Sequence, residues 1–311
     1  MDKSELDIMH QRIQPFIYNT AVLTSQTINE ICDANVFFKC ENFQKMGAFK
    51  MRGAVNAILC LSEKQRSKGV VTHSSGNFAQ ALSLAAKYLK VNAFIVMPKN
   101  APKVKKEAVR SYGGYIIESE STPRAREELA EKVRKEKGAT FIHPSNDINV
   151  ICGQGTAAIE LLVEKPDLDY IFAPVGGGGL VAGTILASEN YSTKCKVVGA
   201  EPCVVDDAFR SLQTGKIEMN NNAYTIADGL RTYLGTINFP IIKKFIHKII
   251  RVEEEEIVKA MRLVWERMKI VIEPSSAVPV AALMKEHKEF ANKSIGIILS
   301  GGNVDLKQLP F

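Results

Sequence analysis

The apolar, strand-like run Tyr170-Ile171-Phe172-Ala173-Pro174-Val175 leads into four consecutive glycines, Gly176, Gly177, Gly178 and Gly179. A helical pattern carrying Leu180, Val181, Ile185 and Leu186 begins at once. Without Cβ atoms, such a run can turn sharply and aim several backbone N–H groups into one concavity. The helix behind it adds unpaired N–H donors and the positive end of its dipole. That junction suits a phosphate. It carries neither Gly-Lys-Ser/Thr nor Gly-x-Gly-x-x-Gly, so it is neither a nucleoside-triphosphate loop nor a dinucleotide fingerprint. A flexible turn is the plainer alternative.

Two further turns share this placement. Ser74-Ser75-Gly76-Asn77 follows the strand-like Gly69–His73, and Ser300-Gly301-Gly302-Asn303 follows Ser294–Leu299. In parallel α/β sheets the carboxyl ends of strands face the ligand crevice. The hydroxyls and amide of residues 74–77 serve an anion or simply cap the next helix. Lys50, beside Phe49, falls near the start of a helix with Ala54, Ile58 and Leu61 on one face. The positive end of a helix is a poor place for a cation. Such a lysine either titrates low and becomes nucleophilic or is an ordinary surface residue. Glu201, Asp206 and Asp207 put three carboxylates within seven residues. That spacing fits Mg²⁺ or Ca²⁺, and equally the acidic start of a helix. The run Glu253–Glu256 reads as dipole complementation.

Strand and helix patterns alternate through residues 69–147, with strands at 69–73, 91–97, 115–117 and 140–144 and a helix over Pro123–Lys137. This block reads as a small parallel-sheet domain, 69–147, inserted into a large domain of 1–68 and 148–311. A helix is expected over 156–164, and residues 215–235 read as a polar loop. The length of 311 residues accommodates two domains. The net charge of +6 is spread along the chain without aromatic interleaving, so nucleic acid is not an expected partner. The six cysteines form no Cys-x-x-Cys pair and read as reduced thiols. The first residues show no signal-peptide pattern, and no apolar run approaches ~18 residues. A cytoplasmic protein without a membrane span is the expectation.

Six separated motifs then act together: Ala48-Phe49-Lys50-Met51-Arg52-Gly53-Ala54, Ser74-Ser75-Gly76-Asn77, Gly176–Gly179, Ala227-Asp228-Gly229, Glu273-Pro274-Ser275 and Ser300-Gly301-Gly302-Asn303. In this order they resemble the fold-type II pyridoxal-phosphate (PLP) enzymes, in the branch of serine racemases and serine/threonine dehydratases that includes 3-hydroxyaspartate dehydratases. The resemblance spans essentially the whole chain. It implies an α/β fold of two parallel-sheet domains with the site in the cleft between them. It also implies a Schiff base between Lys50 and PLP, with the phosphate held by Gly176, Gly177, Gly178 and Gly179. Asn77 would meet the ring hydroxyl, Phe49 would pack near the ring, and Ser300 would face the pyridine nitrogen. Gly229 and Glu273 would line the cofactor. Ser74, Ser75, Gly76 and Asn77 would take the substrate carboxylate, with Arg126 at a second one. Lys50 would move the α-proton on one face and Ser75 on the other.

The same resemblance implies a Mg²⁺ (or Ca²⁺ or Mn²⁺) site at Glu201, Asp207 and the carbonyl of Val205. It further implies an amino-acid substrate, a nucleotide activator and a homodimer. The expected reaction is elimination from L-serine, L-threonine or 3-hydroxyaspartate to a 2-keto acid and ammonia. Serine or aspartate racemisation is the nearest rival. A non-catalytic PLP carrier or phosphate-ligand sensor is the reading from another class. A β-replacement enzyme fits less well, because Phe49-Lys50-Met51-Arg52 does not match the usual Ser-x-Lys-Asp-Arg. The chain departs from the branch at Met46 and Ala48, where hydroxyls are common, and at Phe78, where histidine is common. Arg231, after Ala227-Asp228-Gly229, is a second arginine placed for an extra carboxylate, and a solvated surface position is the plainer reading of both Arg126 and Arg231. No C-terminal regulatory extension of the biosynthetic threonine dehydratase kind follows.

Overall fold

The computed structural model describes residues 1–220 and 224–311. Asn221 and Asn222, read as part of a polar loop, lie outside the described residues. The strands, in chain order, are β1 (Val22–Leu23), β2 (Asn35–Cys40), β3 (Val70–His73), β4 (Ala93–Pro98), β5 (Tyr115–Ser119), β6 (Thr140–Phe141), β7 (Tyr170–Pro174), β8 (Lys196–Pro202), β9 (Lys248–Val252) and β10 (Ser294–Leu299). They form two sheets, ordered β1-β2-β10-β7-β8-β9 and β5-β4-β3-β6. Among the described residues, all pairings between these strands are parallel except that of β1 with β2.

The strand sequences explain this burial. Ile295, Ile297, Ile298 and Leu299 of β10 and Ile171, Phe172 and Ala173 of β7 are all buried. Near-continuous apolar runs suit parallel strands covered on both faces by helices. In the larger sheet β2, β10 and β7 are neighbours, so their carboxyl ends open side by side. β2 leads toward Lys50, β10 into Ser300 and β7 into the four glycines. The smaller sheet takes its strands from the chain between Val70 and Phe141.

One helix, Ile148–Glu164, joins the parts. It starts eight residues before the expected 156, because the Asp147 carboxylate caps it, accepting from the N–H of Asn149 (2.8 Å) and Val150 (3.2 Å). Gly153 and Gly155 therefore lie inside a helix, where each costs about 1 kcal/mol relative to alanine. Their use is close approach. A Cβ on Gly155 would lie 2.4 Å from the Gly183 carbonyl oxygen in the helix Gly179–Tyr191. A Cβ on Gly153 would lie 2.7 Å from the Arg52 carbonyl oxygen in the helix Lys50–Leu59. β6 also ends earlier than expected, at Phe141 rather than 144. His143 Nδ1 accepts the backbone N–H of Ser145 (3.1 Å) and Asn146 (2.8 Å), which turns the chain out of the sheet.

A buried ionic cluster locks the other end of this helix. Arg52 donates to both oxygens of Glu41 (2.7 and 2.8 Å) and both of Glu160 (each 2.7 Å), and Lys39 pairs with Glu160 at 2.7 Å. Two cations balance two carboxylates, so removing one member would strand the rest. The helix contacts generate a prediction. Gly155→Ala should destabilise the protein by about 1–3 kcal/mol in urea unfolding, the usual cost of overpacking a tight interior; an unchanged midpoint would contradict the close contact.

Candidate active site

Lys50 opens the helix Lys50–Leu59, with Phe49 in the cap position and no side-chain cap. Its Nζ donates to the Pro144 carbonyl at 2.9 Å. It stands 4.9 Å from the ring centre of Phe49 and 5.7 Å from that of Phe78. Loss of water around the amine lowers its pKa from 10.5 to about 8, partly opposed by the Glu273 carboxylate. Phe78 thus contributes an apolar wall to the lysine.

The four glycines lie beside it, reached through the loop that follows β6. Each is pressed by a neighbour. A Cβ on Gly176 would lie 2.8 Å from Leu230 Cα, one on Gly177 2.4 Å from Ser145 Oγ, and one on Gly179 2.9 Å from Gln154 Oε1. Gly178 has φ of +76°, which favours glycine. Asn238, buried, donates from Nδ2 to the carbonyls of Gly177 (2.8 Å) and Ser145 (3.0 Å), and so holds the loop to the strand-β6 side. The 13-residue helix Gly179–Tyr191 begins here without a side-chain cap, leaving its first N–H groups for a ligand. A helix start walled so closely that only glycine fits is the cradle a phosphate needs.

Asn77 begins the helix Asn77–Tyr88 and spans the cleft. Its Nδ2 donates to Glu273 (2.9 and 3.1 Å), and its Oδ1 accepts from Asn303 Nδ2 (2.9 Å). Burial, with the Asp228 charge nearby, pushes the Glu273 carboxyl up to about 7. Gly76 meets nothing within 4 Å of where a Cβ would be, so the 74–77 turn faces open space. Ser74 and Ser75 are half-buried on that turn. The Ser300 and Ser276 hydroxyls are 3.1 Å apart, and the Ser300 carbonyl accepts from Phe49 N–H at 3.0 Å, tying the β10 exit to the lysine segment. Gly229 N–H donates to Ser275 Oγ (3.2 Å) behind Gly176. His143, desolvated and near His73 and Lys50, is pushed down to about 4, so it stays neutral and its Nδ1 remains an acceptor.

The arginines separate. Arg231 donates from Nε and Nη2 to the Thr225 carbonyl (3.1 and 2.5 Å), which occupies it structurally. Arg126, in the first turns of the helix Pro123–Lys137, has a buried Nε without a partner and lies close enough to His73 to depress that ring's pKa, after desolvation and the opposing Glu127. At the end of β8, Glu201 accepts from the N–H of Ala208 and Phe209, both at 3.0 Å, and Asp207 Oδ1 accepts from Asn220 at 2.5 Å. Asp207 Oδ2 is buried without a partner. Val205, buried, ends the short 3-10 turn between the two acids. Asp206 turns away to Arg210 and Arg251, both at 2.8 Å. Among the described residues no three His, Cys, Asp or Glu side chains group around a metal position, and no helix is long and apolar enough to cross a membrane.

Sequence reasoning passed over Pro144, Ser145, Asn238 and Gln154. Only Gln154 carried a signal, two glycines flanking it in a helix.

The fold and site define a class: an α/β protein that sets a glycine-walled helix start beside a desolvated lysine, fitted to a phosphate-bearing carbonyl ligand. The chain belongs to the pyridoxal-phosphate dependent enzyme family, which it matches over residues 13–301. It is 47% identical over 302 residues to the beta-hydroxyaspartate dehydratase of Paracoccus denitrificans, covering 97% of this chain and 96% of that protein. It is 48% identical over 306 residues to the serine racemase of Dictyostelium discoideum, covering 96% and 94%. The crystal structure of the Dictyostelium discoideum serine racemase superposes with a TM-score of 0.94, covering 98% of this chain and 99% of that one.

The lysine environment makes a prediction. In the apoprotein, competitive acylation followed by mass spectrometry should give Lys50 an apparent pKa near 8. Because the shift is downward, the reactive neutral amine should already be populated about two pH units below that of surface lysines. Reactivity rising only near the ordinary lysine value of about 10.4 would contradict the desolvated site.

Proposed function

We propose that this protein removes the β-hydroxyl and amino groups of a 2-amino-3-hydroxy acid, yielding a 2-keto acid and ammonia, with 3-hydroxyaspartate, L-serine and L-threonine as the substrate class. The observation that carries the reading is the low-titrating Lys50 amine beside the glycine-walled helix start. The likeness to a hydroxyaspartate dehydratase and a serine racemase supports it.

PLP fits the residues present. Gly176–Gly179 would hold its phosphate, Lys50 its carbonyl carbon, Asn77 its ring hydroxyl and Ser300 its pyridine nitrogen, with Phe49, Gly229 and Glu273 around them. When bound, PLP supplies the electron sink that acidifies the substrate's α-carbon. Lys50 Nζ then has the pKa of a base that can take the α-proton near neutral pH. The Ser74–Asn77 turn binds the α-carboxylate through N–H and hydroxyl donors. Water lost from the β-carbon is regained when the amino group leaves as ammonia, so the net change is deamination. Asn77 and the Lys105–Asp228 ion pair, at 2.5 Å, bridge the cleft. Residues 69–147 would close through these contacts over the unit of 1–68 and 148–311 and exclude water. Ser75 supports a second activity: a hydroxyl on that turn can return the proton from the opposite face, which racemises.

Arg126 favours a dicarboxylic substrate, since its buried, unpartnered Nε lies in the first turns of a helix beside the end of β3. Lys50→Ala should abolish keto-acid formation and racemisation alike; retained turnover overturns the assignment. Arg126→Ala should raise KM for 3-hydroxyaspartate at least about 10-fold, the worth of a charge-assisted hydrogen bond, and leave L-serine unchanged. An equal effect on both would remove the dicarboxylate preference.

A divalent cation at Glu201, Asp207 and the Val205 carbonyl belongs to the same reading. Burial raises the Asp207 carboxyl to about 6, and burial with the Asp207 charge raises Glu201 well above the usual range. Two buried carboxylates outside any salt bridge among the described residues, one with a bare oxygen, suit Mg²⁺ completed by a carbonyl and water. Mg²⁺ should raise the Tm by about 5 °C, and Asp207→Asn should remove the rise. No rise in the parent protein would count against the site.

A further inference from the structure

Gln154 is 0% exposed, and neither Oε1 nor Nε2 has a hydrogen-bond partner. A buried amide unpaired at both ends carries the full cost of its desolvation. In a native interior such a group calls for a partner that the chain itself does not supply, water or a ligand.

Its surroundings say which partner. A Cβ on Gly53, in the lysine helix, would lie 2.9 Å from Gln154 Cγ. A Cβ on Gly179, at the start of the helix Gly179–Tyr191, would lie 2.9 Å from Gln154 Oε1. The amide therefore sits between the first turns of the two helices that meet at the site. The neighbours walling Gly176–Gly179 are Ser145, Leu230, Thr232, Leu234, Asn238 and Gln154, together with the Gly229 carbonyl, and none of them is a cation. Asn238 already spends its amide on carbonyls and on the Gly235 N–H. Gln154 is the amide in this wall with both ends uncommitted. A half-turn of its terminal group exchanges Oε1 and Nε2 and presents two N–H donors toward Gly179 without moving any other atom.

We propose that Gln154 is the side-chain donor of the phosphate cradle. Its Nε2 donates to the cofactor phosphate and adds to the backbone N–H groups of the tetraglycine loop. The inference rests on the reading of that loop as the phosphate site. It explains why a polar residue occupies a fully buried position between two glycines: no group of the chain pairs its amide, and a bound phosphate would.

Gln154→Met keeps the volume and removes both polar ends. In the apoprotein this variant should melt at or above the parent temperature. Its dissociation constant for PLP, measured by absorbance titration, should rise about 10-fold or more, as for a lost hydrogen bond to a charged group. Its affinity for pyridoxal, which lacks the phosphate, should be unchanged. Parent-like PLP affinity would overturn the inference, and so would equal losses for PLP and pyridoxal, which mean altered packing. Gly179→Ala separates the two levels. If it leaves PLP binding intact, the cradle reading falls; if it weakens PLP binding while Gln154→Met does not, only the role of Gln154 falls. A test that needs no variant fold uses the parent protein. The Gln154 side-chain ¹H–¹⁵N signal should shift on adding PLP and stay fixed with pyridoxal, and the reverse would refute the contact.

Discussion

The site depends on backbone-to-backbone contact along one helix, Ile148–Glu164. Gly155 meets Gly183 in the helix that starts at the glycine cradle, and Gly153 meets the backbone of Arg52 in the helix that starts at Lys50. Any side chain at these crossings would push the two helix starts apart. The spacing between the Lys50 amine and the glycine-walled helix start is therefore set by missing Cβ atoms, not by side-chain interdigitation. Glu160 fastens the far end of the same helix to Arg52. A buried cluster of this kind adds little net stability, because desolvation opposes attraction, yet it penalises any arrangement in which its members separate. That suits a residue two positions from Lys50.

Burial also sets the chemistry. Lys50 is lowered to about 8 and Glu273 is raised to about 7 by the loss of water around each, while His143 is driven down to about 4. In each case the environment disfavours the charged form. The site thus carries an amine and a carboxyl that both exchange protons near neutrality, beside an imidazole that does not. The neutral imidazole serves geometry: as an acceptor it holds the loop that presents the Pro144 carbonyl to Lys50 and Ser145 to the glycines. Asn77, Glu273 and Asn303 form a polar chain that ties the start of the helix Asn77–Tyr88 to the chain before Pro274 and after β10.

Much of this was legible in the chain. The tetraglycine loop, the turns after β3 and β10 and the helix start at Lys50 are local features, written in turn and capping residues next to strand patterns. The helix Pro123–Lys137 and the strand Ser294–Leu299 fall where periodicity put them. What stayed hidden depends on distant partners. Gly153 and Gly155 look like helix breakers until Gly183 and Arg52 are brought against them. β6 looks longer until His143 captures the next two backbone N–H groups. Asn238 and Pro144 are ordinary residues whose roles come from what packs beside them. Arg231 looked like Arg126 in sequence, and only the fold shows it spent on the Thr225 carbonyl.

The central claim is that this lysine and cradle serve elimination from a hydroxy amino acid. The direct measurement is a product balance: the holoenzyme with L-threo-3-hydroxyaspartate, L-serine and L-threonine in separate reactions, quantifying keto acid, ammonia and D-amino acid. The account predicts keto acid and ammonia in equal amounts, in excess over D-amino acid, and fastest from 3-hydroxyaspartate. D-amino acid as the main product, or cofactor bound with no product from any of the three, would contradict it.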